Sequence, residues 1–197
     1  MSLRIITSGL LAATSIAWSA SALADTTPQS KVSAASTAEI GSRNVGFRNG
    51  FSVSAGQESG TTAGGADISG QLYGVDWRIG NAITNSVSVY VDTHISLGTA
   101  SVGGASGATG NFATALIGEY VHPSRFFVGG GGGYGVLNNP SGPLAQARVG
   151  YYPFEGSSLA PARHLNVALD ARWYFVDDAG TGVTVSHYAL SLGYDRF

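Results

Sequence analysis

From Phe47 to the C-terminus, apolar residues alternate with polar or small ones in segments of about ten residues, separated by clusters of Gly, Ser, Asn and Pro. A period of two belongs to strands, whose successive side chains point to opposite faces. The pattern predicts eight of them, at about residues 47–56, 71–80, 87–98, 112–121, 126–136, 144–152, 165–175 and 183–197. The third is the clearest: Val87, Val89, Val91, Ile95 and Leu97 alternate with Ser88, Tyr90, Asp92, His94, Ser96 and Gly98. The seventh sets Leu165, Val167, Leu169, Ala171, Trp173 and Phe175 against Asn166, Ala168, Asp170, Arg172 and Tyr174.

The face opposite the apolar set decides what surrounds these strands. A soluble sheet turns a well-charged face to water. Here charged residues are 11% of the chain, against roughly 25% in soluble domains, and the second face is mainly Gly, Ser and Ala with an occasional ion. Small residues suit a cramped interior, and lipid tolerates no open strand edge. The pattern therefore predicts an all-β fold, an eight-stranded antiparallel transmembrane up-and-down β-barrel with its apolar face outward. A hydrophobic content of 44% excludes a disordered chain, and the absence of cysteine excludes disulfides and thiolate metal sites. Ten basic residues against twelve acidic ones exclude a basic nucleic-acid binder.

The N-terminus adds an address. Arg4 precedes a mostly apolar stretch from Ile5 to Ala20, and Ala22-Leu23-Ala24 closes it as an A-x-A cleavage site. Residues 1–24 read as a secretory signal peptide, 25–46 as a flexible periplasmic lead-in rich in Ser, Thr and Ala, and 47–197 as the barrel. With both termini periplasmic, residues 57–67 and 99–110 read as long outer loops, while 81–85 and 122–125 read as tight turns. Strands followed alternately up and down place Trp77, Tyr120, Phe126, Tyr151 and Tyr194 in a periplasmic aromatic girdle. Tyr134, Trp173, Phe175 and Tyr188 fall in an outer one.

The leader, the eight alternating segments and the terminal run from Tyr188 to Phe197 together resemble the small eight-stranded outer-membrane β-barrel proteins, the OmpA/OmpX-like group of porin-family barrels. The resemblance covers nearly all of the mature chain. It implies residence in the outer membrane of a Gram-negative bacterium, contact with outer-membrane lipid, and delivery by the barrel-assembly machinery, which reads a C-terminal signal here matched by Leu190, Leu192, Tyr194 and Phe197. Phe197 departs from the parity of the other three. A monomer is expected, with no cofactor and no external partner that the sequence can name. The same barrel serves as anchor, adhesin, small channel or lipid-modifying enzyme, so fold alone does not select among them.

Parity sends Asp76, Arg78, Asp92, His94, Glu119, Arg148, Asp170 and Arg172 inward. Two readings stand: a structural network of mutually paired ions, and a narrow gated path for small ions or apolar solutes. Asp92, His94 and Ser96 include an acid, a base and a nucleophile, but residues two apart on a strand lie about 6.5–7 Å apart, too far for a catalytic triad. His94-Ile95-Ser96 resembles the His-x-Ser of lipid A 3-O-deacylases, although Leu97 and Gly98 replace the continuation expected there and that family's site faces lipid. The run Gly129–Gly133 lacks the Lys-Ser/Thr of a phosphate loop, and the four histidines lack metal-ligand spacing. His187 reads as a solvated residue near the outer mouth, and Gln57, Glu58, Asp177 and Asp178 as polar handles of the outer loops. No catalytic, cofactor-binding or metal-ligating residue is predicted, and the expectation is a non-enzymatic barrel that supports the envelope and contacts external partners through its loops.

Overall fold

The computed structural model describes residues 45–138, 140–154, 164–178 and 181–196. The expected leader, residues 1–24, nearly all of the lead-in, and Phe197 lie outside them. The described chain forms eight strands: β1 (Gly46–Thr61), β2 (Asp67–Ala82), β3 (Val87–Val102), β4 (Ala105–Val121), β5 (Phe126–Leu137), β6 (Ser141–Tyr151), β7 (Leu165–Asp178) and β8 (Thr181–Arg196). Each pairs antiparallel with its sequence neighbours, and β1 pairs with β8, with Phe51 opposite Tyr194, so the sheet closes into a barrel. Closure removes the edges that lipid cannot satisfy.

Alternation along each strand sorts side chains by surroundings. On β8, Tyr188, Leu190, Leu192 and Tyr194 point out, while His187, Ser191 and Asp195 are buried inside. The outward row runs on into Ser186, Thr184 and Gly182, so the two tyrosines bound the apolar stretch of this strand. Apolar outside and ionic inside inverts the order of a water-soluble protein. It is the order that a hydrocarbon surround requires.

Two expected loops prove to be strand. Residues 57–61 continue β1 and 105–110 belong to β4, leaving connections of residues 62–66 and 103–104 only. Gly103 and Gly104 both adopt positive φ, 56° and 89°, which a two-residue hairpin turn demands and which only glycine adopts without strain. Composition misleads here because Gly, Ser and Thr also pair well in a ribbon where nothing large must be buried. Glu58 accordingly lies inside the barrel rather than on a loop, and His187 is buried rather than solvated. The longest connection, between β6 and β7, lies at the end where β1 begins and β8 closes; the segment spacing already makes residues 153–163 too long for an ideal periplasmic turn.

Candidate functional site

The inward faces of the strands bring together all eight ions expected there: Asp76, Arg78, Asp92, His94, Glu119, Arg148, Asp170 and Arg172 are buried. Four more ionisable groups join them, Arg48, Glu58, His187 and Asp195, so the described interior holds six carboxylates, four guanidiniums and two imidazoles. Parity could have found Arg48, out of step with Phe47 and Phe51, and Asp195, out of step with Tyr194. Both sit near strand ends, where the alternation is hardest to separate from a turn.

Asp195 is one centre of the network. Its Oδ1 accepts from Arg78 Nε at 3.1 Å, and its Oδ2 accepts from Arg48 Nη2 at 3.1 Å and from Tyr152 Oη and Asn166 Nδ2, each at 2.8 Å. Glu119 is the second, with Arg48 Nη1 at 2.6 Å, Tyr90 Oη at 2.8 Å and Arg148 Nη1 at 3.5 Å. Arg148 and Asp170 stand opposite in the β6–β7 register, with Nε 3.2 Å from Oδ1. Asp76 joins Arg172, His94 Nδ1 at 2.8 Å and the Ser52 hydroxyl at 3.0 Å. Arg172 also reaches Asp92, to which Gln146 donates at 2.5 Å. Nearer the hairpin end, Glu58 meets His187 Nε2 at 2.8 Å and Asn111 Nδ2 at 3.2 Å. Buried charge is tolerable only when paired and hydrogen-bonded in this way.

Apolar layers lie on either side of the ions. Leu137, Leu144, Tyr174, Val176, Val183 and Val185 pack toward the hairpin end. Val121, Phe127, Tyr152 and Ala168 pack toward the terminus end. Arg48, Asn166, Tyr152 and Asp195 are 0% exposed, so no water-filled lumen reaches them from that side. A cavity beside His94, Ser96, Arg172 and His187 measures about 10 Å³, room for about one water.

The structure does not assemble a triad from Asp92, His94 and Ser96. His94 pairs with Asp76 instead, and Asp92 with Gln146 and Arg172. His94 and Ser96 face inward, away from lipid. Among the described residues no group of three or more His, Cys, Asp or Glu side chains could hold a metal ion. The nine girdle residues all point outward: Tyr151 and Trp173 are half-buried, and the other seven are exposed. Phe126 packs on Tyr151 with ring centroids 4.8 Å apart, and Trp173 meets Tyr188 edge-on at 6.3 Å. Leu190, Leu192 and Tyr194 of the C-terminal signal share the outward face of β8.

A closed eight-stranded barrel with an apolar outer wall and a paired ionic interior defines a transmembrane β-barrel, the architecture of small outer-membrane proteins. Among solved structures it is similar to Ail, the attachment invasion locus protein of Yersinia pestis, with a TM-score of 0.54 and 12% identity over 76% of this chain and 99% of that one. The same Yersinia pestis protein in complex with the heparin analogue sucrose octasulfate matches with a TM-score of 0.54 and 10% identity over the same shares. Neisserial surface protein A matches with a TM-score of 0.47 and 11% identity, over 74% of this chain and 96% of that one. No protein-family model and no curated protein matches the sequence.

Proposed function

We propose that this protein is a non-conducting, non-enzymatic barrel that contributes to the integrity of the outer membrane, acting as a monomer with its termini toward the periplasm. The observation that carries the reading is the packed interior. Ions joined from β1 to β8 fill the cross-section, and apolar layers lie above and below them. Eight strands enclose space for side chains and little more. The narrow-channel alternative would need a continuous polar path, and the cavity beside Ser96 has room for about one water only. The inward placement of His94 and Ser96 argues against a lipid hydrolase, whose nucleophile must meet its substrate at the wall.

A role in binding polyanions outside the cell is not favoured. Among the described residues the hairpin end carries Asp67 and Asp177 and no Lys or Arg, the wrong sign for a sulfated sugar of the kind seen with Ail. Planar-bilayer recording of the refolded mature chain tests the reading directly. No discrete conductance is expected from the wild type, and resolved single-channel steps overturn it in favour of the channel. A deletion strain adds the second arm: raised detergent sensitivity with unchanged lipid A mass is expected, and an altered lipid A mass assigns the enzyme instead.

A further inference from the structure

Outside the interior network, the described ions segregate by end. Asp67 on β2 and Asp177 on β7 are exposed at the hairpin end. At the terminus end stand Arg125 and His122 in the β4–β5 turn, His164 just before β7, and Arg196 at the close of β8. The register makes these last four neighbours along one arc of the rim. Phe126 lies opposite Tyr151, Tyr151 opposite Val167, and Leu165 opposite Tyr194, so the arc runs from the β4–β5 turn across β6 and β7 to β8. The β2–β3 turn on the other side, residues 83–86, carries no charge.

The basic residues on the arc are interleaved with outward aromatics. His122 lies edge-on to Tyr120 at 6.5 Å and His164 lies 5.4 Å from the Tyr194 ring. Phe126 and Tyr151 stack beside Arg125, whose backbone carbonyl accepts from the Tyr152 amide at 3.1 Å. Arg125 is held at φ 75°, a left-handed conformation that costs a side-chain-bearing residue energy. Among the described residues no carboxylate pairs with Arg125 or Arg196. Aromatic rings at the margin of the apolar belt mark the level of the lipid headgroups, and Arg placed there attracts anionic ones.

We propose that this arc is a binding rim for anionic phospholipid headgroups of the leaflet at the terminus end. The guanidiniums of Arg125 and Arg196 engage lipid phosphate, and Tyr120, Phe126, Tyr151 and Tyr194 seat the glycerol and upper acyl region. A lipid fits better than an acidic protein because the aromatics lie on the barrel wall itself, continuous with the apolar belt. Among the described residues the arginines outside the interior network stand on the β4–β8 arc, so the binding is expected to favour that side.

The test uses the refolded mature chain in phosphatidylcholine vesicles, with spin-labelled phosphatidylglycerol and spin-labelled phosphatidylcholine compared by electron paramagnetic resonance. Wild type is expected to prefer phosphatidylglycerol at low salt, with about a fivefold contribution from each arginine near the surface, and to lose the preference as chloride screens it. Asparagine tolerates positive φ, so Arg125→Asn combined with Arg196→Gln removes charge without adding strain. That variant is expected to hold phosphatidylcholine as wild type does while losing the preference, and Arg125→Lys with Arg196→Lys is expected to keep it. An unchanged preference in the neutral variant, or none in wild type, overturns the proposal. So does loss of the preference in inorganic phosphate but not in chloride of equal ionic strength, which assigns a free-anion site instead.

Discussion

Strands β5 and β8 both cross the barrel, yet they turn opposite kinds of surface inward. The inward face of β8 carries His187, Ser191 and Asp195 among Val183, Val185, Ala189 and Gly193, whereas that of β5 carries Phe127, Gly129, Gly131, Gly133, Gly135 and Leu137 and no ion. A side chain on Gly131 would run into the Leu116 carbonyl, and one on Gly133 into the Thr114 carbonyl, both on β4. Elsewhere glycine lies directly beneath large interior groups: a Cβ on Gly50 would meet the Asp195 carboxylate, and one on Gly74 the His94 ring. The comparison teaches that glycine serves two ends in this barrel: on β5 it lets the β4 backbone approach closely, and on β1 and β2 it leaves room for the Asp195 carboxylate and the His94 ring.

The largest test of that comparison strikes the ionic side. Asp195→Ala takes the carboxylate from Arg78, takes one of two carboxylate partners from Arg48, which keeps Glu119, and removes the acceptor of Tyr152 and Asn166. A loss of about 3–5 kcal/mol is expected, measured by urea unfolding of the barrel in vesicles. Arg148→Met is expected to fall in the same range, since it leaves both Glu119 and Asp170 short of a partner. Asp170→Asn should cost less, because an amide still accepts from Arg148 and from Ser191 Oγ, now at 2.5 Å. Equal losses at all three sites would mean that the ions act as bulk filler rather than as specific pairs.

The glycine wall is expected to be less costly to disturb but not free. Gly133→Val places a good strand former where the β4 backbone stands, and a loss of about 1–3 kcal/mol is expected from overpacking, read in the same unfolding assay. The outward Gly118 has nothing closer than the Gly130 carbonyl at 4.0 Å. Gly118→Ala is therefore expected to be neutral or to gain about 0.4–1 kcal/mol. If the inward and outward glycines respond alike, the β5 glycines serve chain flexibility rather than interior space.

Eight period-two segments, their faces and the inward parity of Asp76 or Arg172 can be read from spacing alone, because the direction of a strand side chain depends only on local backbone geometry. The same locality explains where that reading stops. Residues 57–61 and 105–110 are poor in large side chains, so their alternation is faint and the hairpin register alone makes them strand. Parity also says that an ion points inward without saying what it meets. Arg48 and Asp195 are 147 positions apart, and Tyr152 reaches Asp195 across 43. Those encounters are set by the stagger with which β1 closes on β8 and by side chains spanning the lumen, which no segment encodes by itself. The sequence thus determined strands, sidedness and the membrane surround, and the tertiary structure decided which charges neutralise one another, because ion pairing inside a barrel is a property of its closure.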